Sequence, residues 1–267
     1  MSHQILDYFR KHRQLIEENL VLSEDPSNTE AIHNLRLSIK RLRVVAWLTS
    51  IISEPTFNSG EKLLEVNKLF KRSGRLRDIQ VIKQLMIGFD RTELHPVIES
   101  FIHRESKQRL KFEQVLKIFD QSCLDDFEKG LTDSLQGKST HQIMYAGLSL
   151  LTNMEIELHE LYHGSADEER LHHIRTRLKS INYLNNIFED RLPIQDQLNI
   201  SIERLQETGE IAGTWHDCLN LEGKLERYIN KNPDAADSLQ PFITDLKTRK
   251  QGLFQEYICI LLNELKI

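Results

Sequence analysis

His33, Arg36, Lys40 and Arg43 recur at spacings of three and four residues, which gathers side chains on one face of an α-helix. At about 100° per residue the four fall within an arc of roughly 80°. Arg41 lies outside that arc. The row contains no acid, since Glu30 and Glu54 stand only near the ends of the stretch. The helix therefore cannot neutralise itself through pairs three or four residues apart. A solvated face with local ion pairs is the ordinary role of a basic stripe. Here a second row, Ile32, Leu35, Ile39, Leu42 and Ala46, runs beside it at the same spacing and marks the buried side of the helix. A cationic row beside a buried one sits at a seam between helices. It needs an anionic partner or a wet groove, because an unpaired buried charge is expensive.

The same layout returns 139 residues later. His172, Arg175 and Lys179 repeat His33, Arg36 and Lys40 at that offset. Gly74-Arg75-Leu76-Arg77-Asp78 is matched in register by Gly213-Thr214-Trp215-His216-Asp217, and His3-Gln4-Ile5 reappears, one residue out of register, as His141-Gln142-Ile143. Arg104, Lys107, Gln108, Leu110 and Glu113 match Lys247, Lys250, Gln251, Leu253 and Glu256 at an offset of 143. The common order of these matches points to a duplicated unit. The expected halves are residues 1–137 and 138–267, each with one His/Arg/Lys helix turned toward a shared groove.

The pattern His-x-x-Arg-x-x-x-Lys-Arg-x-Arg followed by Gly-x-x-Arg-Asp, present in two copies, resembles the CHAD family, the conserved histidine α-helical domain. The resemblance covers nearly the whole chain. It implies an all-α fold of two four-helix-type bundles related by a pseudo-two-fold axis, forming one CHAD-like domain. It also implies a basic central surface that binds inorganic polyphosphate, with possible targeting to polyphosphate granules. The second copy departs from the pattern. Ser180 and Asn182 stand where Arg41 and Arg43 stand in the first, and His216 replaces the arginine before the aspartate. The first half is therefore expected to supply more of the charge.

A linear polyphosphate has no base or ring to recognise, so it needs repeated donors along a track. Arginine grips two oxygens with a planar fork, and lysine supplies a point charge. A helical row places a cation about every 5.4 Å turn. The expected site has Arg36, Lys40, Arg43, Lys68, Lys71, Arg72, Arg75, Arg104 and Lys107 on one wall. Arg175, Lys179, Lys247 and Lys250 form the other, and His33 and His172 complete it. Three roles are open to the two histidines: buried hydrogen-bonding groups, phosphate donors, or metal ligands and phosphate acceptors.

Composition bounds these expectations. The chain has 267 residues, 39% apolar and 28% charged, with a net charge of −5, which suits a globular helical protein. The charge is uneven: residues 1–130 hold 21 Lys and Arg against 19 Asp and Glu, and residues 131–267 hold 14 against 21. A polyanion site must then arise from local placement. Cys123, Cys218 and Cys259 are too few and too scattered for a zinc site, and free thiols in a reducing, cytoplasmic setting are expected. The start of the sequence is not expected to act as a signal sequence, and the longest apolar run, Tyr257 to Leu262, is too short to span a membrane. Glu155, Glu157, His159 and Glu160 lack the Glu-x-x-His spacing of a di-iron helix, because Ile156 holds the needed place. With no phosphate-cradling glycine loop, paired-histidine zinc helix or nucleophile elbow, no catalytic residue, metal or cofactor is expected. A phosphohydrolase, or a metal- or phosphohistidine-dependent enzyme acting on phosphate chains, is the alternative. Nucleic acid is disfavoured, because aromatics are only 7% and are not interleaved with the basic rows.

Helices are expected over residues 2–22, from about 29 to Ser53 with a stop at Glu54-Pro55, from about Ser59, where Gly74 either ends the helix or lets a neighbour approach closely, from Arg77 to a break at Gly88 to Asp90, and after Pro96. In the second half they fall near 139–163, 167–190, 194–211, 213–231 and 239–265, with breaks at Gly164, Pro193 and Pro233. Leu131 to Lys138 joins the halves.

Overall fold

The computed structural model describes residues 1–53, 56–162, 168–198 and 200–264. The expected breaks at Glu54-Pro55 and Gly164 lie outside the described residues. Among the described residues every regular element is helical. In chain order these are α1 (Ser2–Leu22), α2 (Thr29–Ile52), the short α3 (Ser59–Lys62), α4 (Leu64–Gly88), α5 (His95–Ile118), α6 (Ser122–Leu135), α7 (Thr140–Tyr162), α8 (Glu168–Ile187), the short α9 (Ile194–Leu198), α10 (Ile202–Ile229) and α11 (Ala236–Glu264). No helix among them is long and apolar enough to cross a membrane.

The local starts follow from side-chain caps. Asn28 Oδ1 accepts the Ala31 N–H at 3.0 Å and begins α2. Asn58 Oδ1 accepts the Gly60 N–H at 3.0 Å at the start of α3, and Ser201 Oγ accepts the Arg204 N–H at 3.2 Å at α10. The turn before α2 is fastened from a distance: buried Arg109 of α5 donates to the carbonyls of Ser23 at 2.8 Å and Pro26 at 3.1 Å.

α2 is the central element. Ile32, Leu35, Ile39, Leu42, Val45 and Ala46 are fully buried, and the helix packs on α1, α4, α6, α7 and α8. Its buried row belongs to one cluster that also takes in Leu171, Ile174, Leu178 and Ile181 of α8. Apolar residues from both halves of the chain thus share a core. A smaller cluster fills the far end, where Ile82 and Met86 of α4 meet Leu221 and Leu225 of α10 and Phe242 and Leu246 of α11.

Of the two roles open to Gly74 the structure has the close approach, and the break expected between residues 211 and 213 does not occur. α4 runs unbroken through Gly74, and α10 runs through Gly213. Both glycines are interior positions that let a neighbour come close. A Cβ at Gly74 would stand 2.6 Å from Arg36 Nη1, and one at Gly213 would stand 3.3 Å from Arg175 Nη2. The joining segment is also more regular than expected, since α6 continues to Leu135 before the turn at Gly137, whose φ is +72°.

Close approach has a stability consequence in α7. A Cβ at Gly147 would stand 2.7 Å from Cε2 of Phe188, a fully buried ring. Gly147→Ala is expected to cost about 1–3 kcal/mol through overpacking, outweighing the roughly 1 kcal/mol that alanine gains over glycine in a helix. A urea midpoint at or above that of the wild type would contradict the tight packing.

Candidate functional site

α2, α4, α8 and α10 enclose a cavity of about 550 Å³. α2 contributes His33, Arg36, Lys40, Arg43 and Trp47 to its lining. α8 contributes His172, Arg175, Lys179 and Tyr183; α4 contributes Phe70, Arg77 and Asp78; α10 contributes His216, Asp217, Asn220 and Lys224. Seven lysines and arginines therefore face two carboxylates and three imidazoles. The two repeated helices meet here because each has its apolar row in the shared core and its cationic row one residue round the helix.

Arg36 and Arg43 are held in place by bonds to α4. Arg36 Nη1 lies against Gly74 and donates to the Phe70 carbonyl at 2.6 Å. Arg43 donates to Asn67 Oδ1 from Nε at 3.0 Å and Nη2 at 2.6 Å. Both guanidiniums stack on the Phe70 ring, at 4.1 and 3.8 Å from its centroid. In the second half Arg175 keeps an unpaired buried Nε.

The lysines are not held. Neither Lys40 nor Lys179 has a hydrogen-bond or ion-pair partner among the described residues. Burial, reinforced by Arg36, Lys179, Arg175 and Arg43, pushes the Lys40 ammonium down to about 7. Burial and Arg175 push Lys179 down to about 8, against the pull of Asp217 and Glu210. Burial raises the Asp78 and Asp217 carboxyls, while Arg36 and Arg175 respectively oppose the rise.

The histidines divide. His33 is exposed, so a fully buried structural role does not fit it. The rings of His172 and His216 lie 4.3 Å apart, and the Nδ1 of each is buried and unpaired. Burial and the nearby cations hold all three below the ordinary imidazole range, with His216 at about 4. Among the described residues no three His, Cys, Asp or Glu side chains form a group that would hold a metal.

Of the fifteen residues expected from sequence, seven line the cavity: His33, Arg36, Lys40, Arg43, His172, Arg175 and Lys179. The other eight do not. Lys68, Lys71, Arg72 and Arg75 lie about 100–160° round α4 from Phe70, and Lys68 pairs with Glu65 at 2.6 Å. Lys107 is exposed, and Arg104 lies over the Phe101 ring at 5.0 Å. On α11, Lys247 reaches Glu222 at 3.7 Å, and Lys250 is bonded to Glu222 and lies 3.6 Å from Glu168. Acids of the chain itself already serve those two lysines.

Sequence reasoning missed Arg77, His216, Lys224 and the two aspartates as lining groups. For four of them the signal was present, because they are the Arg/His-Asp pairs of the second repeated motif. Trp47, Phe70 and Tyr183 carried no such signal, since only packing brings them to the cations.

Residues 5–252 match the family profile described as the CHAD domain. Among solved structures, the crystal structure of the CHAD domain from the plant Ricinus communis is similar, with a TM-score of 0.76 and 16% sequence identity, covering 100% of this chain and 93% of that one. At that identity the likeness is one of fold. No curated protein matches the sequence.

Proposed function

Because this chain belongs to the CHAD domain family, we propose that it binds inorganic polyphosphate in the cavity between α2, α4, α8 and α10 and performs no reaction on it. The observation that carries this is the pair Lys40 and Lys179, two amines in no direct ion pair among the described residues, set among further cations. Such a cluster is costly when empty. A chain of phosphates supplies the missing charge to every member at once, with Arg36 and Arg43 as fixed forks, Arg175 as a fork with an unused Nε–H, and the lysines as adjustable point charges. Recruitment to polyphosphate granules is part of the same proposal.

The two halves, about 1–137 and 138–267, are read as duplicated units related by an approximate two-fold axis. The matched approaches of Arg36 to Gly74 and of Arg175 to Gly213 support that relation.

Affinity should fall steeply with salt, by the counterion-release reasoning that applies to nucleic acid. With about five excess cations at roughly 0.7 ions each, binding should weaken about 100-fold between 50 and 200 mM salt. Calorimetric titration with polyphosphate of defined length checks this, and a change below about threefold would remove the electrostatic basis. Phosphate release in the presence of divalent metal, lost in His33→Ala, would instead favour an enzyme.

A further inference from the structure

Phe70 stands between Arg36 and Arg43. Arg43 reaches Asn67, one turn before Phe70 on α4, and Arg36 lies against Gly74, one turn after it. The ring therefore receives one guanidinium on each face. With the guanidinium carbons 4.1 and 3.8 Å from its centroid, the two charges stand up to about 8 Å apart. Each is drawn to a negative face of the ring, and the ring itself keeps them from meeting. The bonds that fix them leave donors over. Arg36 Nε and Nη2 and Arg43 Nη1 have no partner among the described residues, and none of the three is among the buried atoms that lack one. They keep accessible surface, and both residues line the cavity. The ring takes the flat face of each guanidinium and leaves its edge, where an oxyanion binds.

The second repeat serves as an internal control. At the offset of 139, Asn182 stands in the place of Arg43 and Gly209 in the place of Phe70. The second arginine and the ring are absent together. A Cβ at Gly209 would stand 3.6 Å from Lys179 Cε, so the lysine stem passes where a ring would project. Long side chains lose rotamer freedom when a ligand fixes them, and a group fixed beforehand does not lose it again. We propose, resting on the polyphosphate reading, that Phe70 is a positioning residue of the cavity: its ring is a spacer that holds Arg36 and Arg43 as two separated forks before the anion arrives. The first half then offers preset forks, and the second half offers the movable Lys179.

The test is calorimetric titration of the full-length protein with polyphosphate of defined length at low salt, paired with the Nε–H resonances of Arg36 and Arg43. In the free protein both resonances should carry the ring-current shift of Phe70 and lose it in Phe70→Leu. Affinity should fall about tenfold in Phe70→Leu, as loss of two cation–π contacts and of the preset geometry does. In Phe70→Tyr, which keeps the ring, it should stay within about twofold. With Arg36→Met and Arg43→Met already in place, Phe70→Leu should change affinity by less than about twofold, because the ring has nothing left to space. A ring that only supports the fold would weaken binding equally in both backgrounds, and that result overturns the proposal. So does wild-type affinity in Phe70→Leu. A wild type that binds no polyphosphate while both arginines show the ring shift sinks the reading of the cavity, and the positioning role falls with it although the stacked geometry stands.

Discussion

Lys40→Met is expected to stabilise the free protein and to remove most of its affinity for polyphosphate. Lys40 is packed among Arg36, Arg43, Arg175 and Lys179 with no acid partner, and its pKa falls from 10.5 to about 7. A tenfold change in proton affinity corresponds to about 1.4 kcal/mol, so holding this group charged costs the fold on the order of a few kcal/mol. Methionine keeps the length and apolar stem and drops the charge. A gain of about 1–3 kcal/mol near pH 7 is expected, after discounting for relaxation and partial exposure.

The sign with pH follows from proton binding. Between about pH 7 and 10.5 the unfolded chain holds the Lys40 proton and the folded chain has lost it, so wild-type stability rises with pH across that window. The penalty is complete below pH 7 and absent above 10.5. The advantage of Lys40→Met over wild type should therefore be largest in mild acid and shrink toward alkaline pH. Affinity moves the other way. Losing one hydrogen-bonded charge costs about 1.5–3 kcal/mol, or roughly 10- to 100-fold. Lys68→Met, an exposed site paired to Glu65, should change affinity by less than about twofold. Paired urea and polyphosphate titrations decide the matter. A destabilised Lys40→Met with unchanged affinity would make the cation cluster a structural device.

How far these groups could be foreseen depended on what each inference required. The rows on α2 and α8 were legible because each ran beside an apolar row and held no acid within a turn; the core then had to bring them to one seam. The row Lys68, Lys71, Arg72 and Arg75 has similar spacing, but its direction on α4 is set by Leu69, Ser73 and Leu76, which are buried. That turns the row away from Phe70 and Asp78. Lys247 and Lys250 were inferred from repeat register, which carries position but not partners; Glu222 on α10 captures them. Gly74 and Gly213 look like helix ends in a sequence, because a glycine that admits a guanidinium and one that stops a helix look alike until the guanidinium is located. On α1 the spacing of Ile5, Tyr8, Phe9, Ile16 and Leu20 marks the packed side, and Ile5, Phe9 and Ile16 are fully buried.

Polyphosphate binding is expected to take up protons and to weaken as pH rises. Every titratable wall of the cavity contributes to the sign. α2 offers Lys40 at about 7 and a depressed His33; α8 offers Lys179 at about 8 and a depressed His172; α10 offers His216 at about 4. An anion among them favours the charged form of each, reversing the burial and repulsion that depress them. Asp78 on α4 and Asp217 on α10 are shifted upward, and their neutralisation in acid removes repulsion from the cavity lining. All shifts therefore act in one direction. Near pH 8 Lys40 is mostly neutral and Lys179 is half neutral, so uptake of about one proton per site is expected, with affinity falling about tenfold per pH unit. Calorimetry at pH 8 in two buffers of different ionisation heat measures the uptake directly. Long chains keep the terminal phosphates, which themselves titrate near pH 6, from contributing. Lys40→Met should remove much of the uptake and flatten the pH profile. Uptake of no protons, with equal affinity at pH 6 and pH 9, would mean that the bound polyanion does not reach the lysines.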